Sequence, residues 1–218
     1  MIKTIVLDLD GPLLDGRYRH YQCYSDILTE HGFDPILMPL YWENKRDRMD
    51  RRKLLALSNA SDLYDEFLAS WIQRIETKKY LALDRLQNRV EDILVDWKKS
   101  GIRLLLATMR NNPGHLQWQL GKLGILHLLD EVVVVDSSQA GASKSAEIKP
   151  LLSDMRLEEA IWVGDTEVDI YAARELGVKV CALTCGLRTE QHLASLSPDM
   201  IEENLSSFAT KLVYQAEG

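Results

Sequence analysis

The feature that most constrains the fold is the short apolar run near the start of the chain, Lys3-Thr4-Ile5-Val6-Leu7, which ends in Asp8-Leu9-Asp10-Gly11. A short run of mostly β-branched or large apolar residues, closed by a Gly-Pro pair, predicts a strand buried on both faces, and so a parallel sheet covered by helices. Such a strand delivers its last residues to the carboxyl edge of the sheet, where open α/β sheets bind their ligands. Asp8 and Asp10 alternate with Leu9, so both side chains leave the strand on the same side. That is the placement a nucleophile and a proton shuttle need. Asp and Gly are also ordinary turn residues, and on this stretch alone a solvated turn is an equal reading.

A second run, Ile161-Trp162-Val163-Gly164-Asp165-Thr166-Glu167-Val168-Asp169, has the same form. Its apolar part ends in Gly-Asp and passes into a helical pattern, Val168, Ile170, Ala172, Ala173 and Leu176, closed by Gly177. Asp165 stands at the strand end, and Asp169 follows one helical turn later, facing the same way. Carboxylates converging at one edge repel one another unless a hard cation sits among them, and an all-oxygen donor set suits Mg2+. The plainer reading is that Asp165 and Thr166 cap the helix.

Together these residues resemble the haloacid dehalogenase-like superfamily of phosphohydrolases. Asp8-Leu9-Asp10-Gly11 is similar to that family's first motif, and Gly164-Asp165-Thr166-Glu167-Val168-Asp169 to its fourth. Leu104-Leu105-Leu106-Ala107-Thr108, an apolar strand ending in a hydroxyl residue, is similar to the second. The matches keep the family's order across residues 1–15 and roughly 85–205. The third motif is a lysine at a helix start, for which Lys144 and Lys149 compete. Lys144 is preferred, because it follows Gly141-Ala142-Ser143, opens a helical pattern reaching Ser153 and leaves room for a loop and a strand before Asp165. Pro12 stands where the family usually has Thr. It marks a subfamily, since the family's phosphate contacts come from amides nearer Asp8.

The resemblance implies an α/β fold: a doubly wound, Rossmann-like parallel-sheet core of five or six strands, built from residues 1–15 and 83–218, with an all-helical cap over 16–82. Periodicity in the cap predicts helices near 17–31, 40–57 and 62–78, and a fourth near 83–100 that returns to the core. Lys45, Arg46, Arg48, Arg51, Arg52 and Lys53 are interleaved with Glu43, Asp47 and Asp50. On one helix, ion pairs at spacings of three and four would satisfy several of them. The sharper reading is that one or two of Arg17, Arg19, His20, Lys45 and Arg46 reach the substrate, whereas Tyr41 and Trp42 pack. In the core, strands are expected at 102–107, 131–135 and 178–183, with an edge strand at 199–201, helices at 114–123 and 204–215, and a polar loop at 136–143. The four valines of 132–135 predict full burial.

By resemblance, Asp8 is the nucleophile and Asp10 the acid and base. The Thr108 hydroxyl, the Met109 amide and the Lys144 ammonium bind the transferring phosphoryl group, with Arg110 and Asn111 as possible further contacts. Mg2+ is expected on Asp8, the backbone carbonyl of Asp10, Asp165 and, directly or through water, Asp169. The activity implied is a Mg2+-dependent phosphatase acting on a small phosphate ester. The alternatives are a sugar-phosphate mutase of the same family and a silent regulatory protein that kept the fold. Asp10 and Asp165 argue against halide displacement and phosphonate cleavage, whose family branches replace the second aspartate.

Composition bounds the partners. With 218 residues, 46% hydrophobic and 27% charged, the chain has room for one sizeable core and an accessory lobe. A formal charge of −7 does not suggest a surface for nucleic acid or anionic membrane, and it leaves a local basic patch open. No apolar run approaches the ~20 residues of a membrane span, and Asp8 falls too early for a leader peptide to precede the first strand. A cytoplasmic protein, monomer or homodimer, is expected. Cys23, Cys181 and Cys185 lack metal or disulfide spacing and read as small reduced apolar residues.

Overall fold

The computed structural model describes residues 1–135 and 143–216. Its strands in chain order are β1 (Thr4–Leu7), β2 (Leu14–Asp15), β3 (Arg85–Leu86), β4 (Arg103–Met109), β5 (Glu131–Val135), β6 (Ala160–Gly164), β7 (Lys179–Leu183) and β8 (Met200–Glu202). Six of them form one sheet in the order β5-β4-β1-β6-β7-β8, parallel throughout, while β2 and β3 form a separate two-stranded sheet. The order turns back on either side of β1, which makes the sheet doubly wound and places its switch point at the end of β1.

Alternation explains why the strands carry no polar face. Ile5, Leu7, Leu104, Leu106, Ile161 and Val163 pack on one side with Ile93, Leu94 and Trp97 of the helix Val90–Lys99 and with Phe208. Val6, Leu105, Ala107 and Trp162 pack on the other with Ile148 and with Ile170 and Ala173 of the helix Glu167–Leu176. Both faces are thus covered, as a continuous apolar run requires. β5 departs from expectation: Val132, Val133 and Val134 are only half-buried, because β5 is the outermost strand and pairs with β4 alone. The edge strand at 199–201 appears as β8. The greater part of the expected polar loop, 136–142, lies outside the described residues.

Contacts divide the chain into two compact units, Met1–Leu14 with Leu86–Gly218, and Asp15–Arg85. The second unit is helical and has its own core, including Tyr24, Ile27, Tyr41, Leu55, Phe67 and Trp71. Arg19 and Asp84 form a buried ion pair within it, Nε to Oδ1 at 3.0 Å. The helix expected over 40–57 is two, Met38–Arg46 and Arg51–Ala56. Asp50 breaks it by accepting from the Arg52 and Lys53 amides, the cap position that Asp favours. The six basic residues therefore do not share one helix. Lys45 and Arg51 lie over the Trp71 ring at 5.2 and 5.7 Å, and Arg52 over Tyr64 at 3.6 Å. The helix expected over 62–78 likewise divides into Tyr64–Arg74 and Lys78–Leu81, and the one over 83–100 starts only at Val90, after β3. Tyr41 is buried and Trp42 packs on the same core.

Candidate active site

Register brings the two aspartate runs and the second-motif run to one edge. Leu7 of β1 lies beside Leu106 of β4 and Val163 of β6, and the Asp8 amide donates to the Val163 carbonyl at 2.9 Å. Asp8, Thr108 and Asp165 therefore leave three adjacent parallel strands at the same end. Gly11 follows with φ +91, a left-handed conformation, and a Cβ there would lie 2.3 Å from the Asp165 carboxyl carbon. Pro12 is buried in the turn beyond it, where Leu13 and Leu14 amides return to the Leu9 carbonyl.

Of the two lysines that compete for the third motif, Lys144 is the one brought to the aspartates. It opens the helix Lys144–Ile148, capped by Ser143, and its ammonium lies 2.8 Å from Asp8 Oδ1 and 2.8 Å from Asp169 Oδ1, with 3% of the side chain exposed. Lys149 is exposed, and the α-helix ends before it, giving way to a 3₁₀ turn through Pro150. Asp8 Oδ1 also accepts from the Leu9 amide at 2.8 Å, which leaves Oδ2 outside those bonds. Burial, then the charge of Asp169, pushes the Asp8 carboxyl up to about 7, against the pull of Lys144. Burial and the charges of Asp8 and Asp169 hold Asp165 well above the usual carboxylate range. Burial works against the Lys144 charge, but Asp169 and Asp8 together raise its ammonium above the ordinary lysine value.

Asp169 does two jobs. Its Oδ2 accepts from Thr166 Oγ1 at 2.8 Å and from the Thr166 and Asp165 amides, completing a capping box for the helix Glu167–Leu176. Its Oδ1 takes Lys144 and, at 3.4 Å, Trp162 Nε1. Thr166 thus caps the helix as the plainer reading expects, but Asp165 does not. One oxygen of Asp8, Asp165 and Asp169 each lies within 4.8 Å of the others. Asp165 Oδ1 is buried without a hydrogen-bond donor, and Oδ2 receives only the Leu187 amide among the bonds described. Buried, repelling carboxylates with an unused oxygen form a donor set that a hard divalent cation fits.

Asp10 is engaged by a residue whose role the motifs do not fix. Arg110 forks onto it, Nη1 to Oδ2 at 2.9 Å and Nη2 to Oδ1 at 3.0 Å, with 5% of the Arg110 side chain exposed. Thr108 is buried and Met109 half-buried at the end of β4. Asn112, not Thr108, caps the following helix, accepting from the His115 amide at 2.9 Å. Asn111 is exposed. Arg17, Lys45 and Arg46 belong to the helical unit, where Arg17 pairs with Asp15 at 2.8 Å. Sequence reasoning passed over Arg188 and Glu167, which join the loop after β7 to the fourth-motif segment; the only local sign was a charged residue at each place.

A family model of haloacid dehalogenase-like hydrolases matches residues 2–177. A phosphoglycolate phosphatase of Synechococcus elongatus is 24% identical over 214 residues, covering 94% of each chain. The pyrophosphatase PpaX of Bacillus velezensis is 24% identical over 216 residues, again covering 94% of each. Among solved structures, a haloacid dehalogenase-like family protein of Streptococcus pneumoniae superposes with a TM-score of 0.74 at 24% identity, covering 97% of this chain and 98% of that one, which shows the shared fold. No helix among the described residues is long and apolar enough to cross a membrane.

Proposed function

The chain belongs to the haloacid dehalogenase-like hydrolases, and from that premise we propose that it is a Mg2+-dependent phosphatase that hydrolyses a small phosphomonoester through an aspartyl phosphate on Asp8. The observation that carries the reading is the buried contact of Lys144 with Asp8 at the strand edge beside Asp165. With Oδ1 held by Leu9 and Lys144, Asp8 Oδ2 is the oxygen that attacks phosphorus as the ester oxygen departs. Asp10 gives that oxygen a proton, then takes one from the water that cleaves the aspartyl phosphate. The Thr108 hydroxyl, the Met109 amide and Lys144 receive the charge of the phosphoryl oxygens.

Asp8, Asp165 and the Asp10 carbonyl are assigned as holders of Mg2+, which when bound supplies further charge neutralisation to the phosphoryl group. Asp169 supports them from behind, since both of its oxygens already accept protein donors. The Asp15–Arg85 unit is assigned the role of a cap that selects the leaving group, with Arg17, Lys45 and Arg46 as its candidate substrate contacts. The test is phosphate release from an aryl phosphate with Mg2+, followed by a panel headed by 2-phosphoglycolate and pyrophosphate, the substrates named for the relatives. The expected result is Mg2+-dependent turnover that Asp8→Asn abolishes. No turnover on the panel with Mg2+, Mn2+ or Co2+ would favour a regulatory protein that kept the fold.

A further inference from the structure

The segment from Thr184 to Thr189, between β7 and the helix Glu190–Ser195, supplies no reacting group, yet it lies directly on Asp165. Residue 186 must be glycine there, since a Cβ would stand 2.0 Å from Asp165 Oδ2. The next amide, of Leu187, donates to that same oxygen. The segment is fastened at both ends. The Thr184 amide reaches the Glu202 carbonyl of β8 at 2.9 Å. At the other end Arg188 forks onto Glu167, Nε to Oε2 at 2.7 Å and Nη2 to Oε1 at 2.9 Å, while its Nη1 donates to the Leu187 carbonyl at 3.3 Å.

Glu167 opens the helix that follows Asp165, so this one ion pair joins the segment carrying the carboxylate to the segment covering it. A two-point guanidinium–carboxylate contact fixes direction as well as distance. Only 16% of the Arg188 and 18% of the Glu167 side chain is exposed, which limits competition from water. His192 Nε2, 3.6 Å from Glu167 Oε2, is a looser neighbour.

We propose that Arg188 and Glu167 are positioning residues for the cation site: they hold the Leu187 amide on Asp165 Oδ2 and so fix the carboxylate in the rotamer that leaves Oδ1 without a protein donor. The inference rests on the metal reading above. Charge alone and positioning make opposite predictions for Arg188→Gln. Removing a cation beside a cation site should tighten metal binding if only Coulomb energy mattered. Removing the clamp should weaken it.

The experiment is a Mn2+ titration of the full chain without substrate, with free Mn2+ read by electron paramagnetic resonance. Arg188→Gln is expected to bind about tenfold more weakly than the native protein, a size typical of residues that orient a metal ligand. Arg188→Lys, which keeps the charge and loses the fork, should fall between the two. Binding by Arg188→Gln as tight as native, or tighter, overturns the proposal. Should that variant not fold, Arg188→Lys decides alone, and unchanged affinity overturns it equally. A native chain that binds no Mn2+ would instead remove the metal reading, a failure the titration shows before any variant is made.

Discussion

Replacing Lys144 by Met tests the electrostatic centre of the site while keeping side-chain volume, so no cavity confuses the result. The ammonium is almost wholly buried between two carboxylates at 2.8 Å. Removing one partner of a buried ion pair typically costs about 3–5 kcal/mol, because the remaining charge is left uncompensated. Part of that cost can be escaped, since Asp8, already pushed up to about 7 with Lys144 present, can take a proton once the lysine is gone. The penalty should therefore depend on pH: roughly 1 kcal/mol near pH 5, where a proton replaces the ammonium, rising toward about 3 kcal/mol near pH 8.5, where it must be held against the bulk. For a chain of this length the upper figure corresponds to about 6–12 °C in Tm. Lys149→Met, at an exposed position, should shift Tm by less than about 2 °C at any pH. Phosphatase turnover should fall by about 10²–10³ for Lys144→Met, the usual loss of a group that neutralises transition-state charge, and stay near native for Lys149→Met. Thermal denaturation of metal-free protein across pH, with turnover in parallel, makes the measurement. Equal penalties at the two positions, or a Lys144→Met penalty that does not grow with pH, would refute the reasoning.

Three further outcomes are expected. Asp10→Asn should accumulate a phosphorylated protein with an aryl phosphate, seen as a burst of phenol and a mass gain of one phosphoryl group after acid quench, because the aryl group leaves unaided while water still needs a base; a phosphoryl adduct on Asp8→Asn would remove Asp8 as nucleophile. Arg110→Lys, which cannot fork onto Asp10, should lower kcat on an alkyl phosphate about tenfold and on an aryl phosphate much less, since only the former needs Asp10 as acid; equal losses in steady-state kinetics would place Arg110 on the phosphate. Asp8 and Asp165 are carboxyls raised on folding, so the folded, metal-free protein holds their protons more tightly than the unfolded chain, and their contribution to stability is lost as pH rises from the ordinary aspartate value of 3.8 toward about 7 for Asp8. Under the proposed metal reading Mg2+ would bind the ionised forms, and its stabilising effect in calorimetry should be larger at about pH 8 than at about pH 5.5; a gain independent of pH would take these carboxylates out of the cation site.

What was legible in the sequence is what a single segment encodes. The runs Thr4–Leu7 and Ala160–Gly164 are apolar because helices cover both faces of the strands, and each Asp follows its strand by fixed geometry, so the sheet, its edge and three of its carboxylates could be read directly. The same inference overreached at 132–135, because four valines report β-propensity and apolar character but not whether a second strand lies outside them. It also missed the break at Asp50, where a cap inside a polar run looks like one more charged residue of a helix face. The contacts that tune the site were not legible for a different reason. Arg110 meets Asp10 across 100 residues, Lys144 meets Asp169 across 25, and Arg188 meets Glu167 across 21. A motif names residues that share a strand end or a helix turn, whereas these pairs exist only once separate strands have closed into one sheet. Asp169 shows how the two levels join. As a local residue it completes the cap of its own helix, a cap the sequence reading gave to Asp165 and Thr166; that cap then sets Oδ1 toward Lys144, and Lys144 holds Asp8. An Asp169→Asn change would keep much of the cap, because an amide oxygen still accepts from Thr166, but would remove the charge that Lys144 leans on. Its cost should therefore appear in turnover more than in helix stability, and a loss confined to stability would show that the cap, and not the lysine, is what this side chain is there to hold.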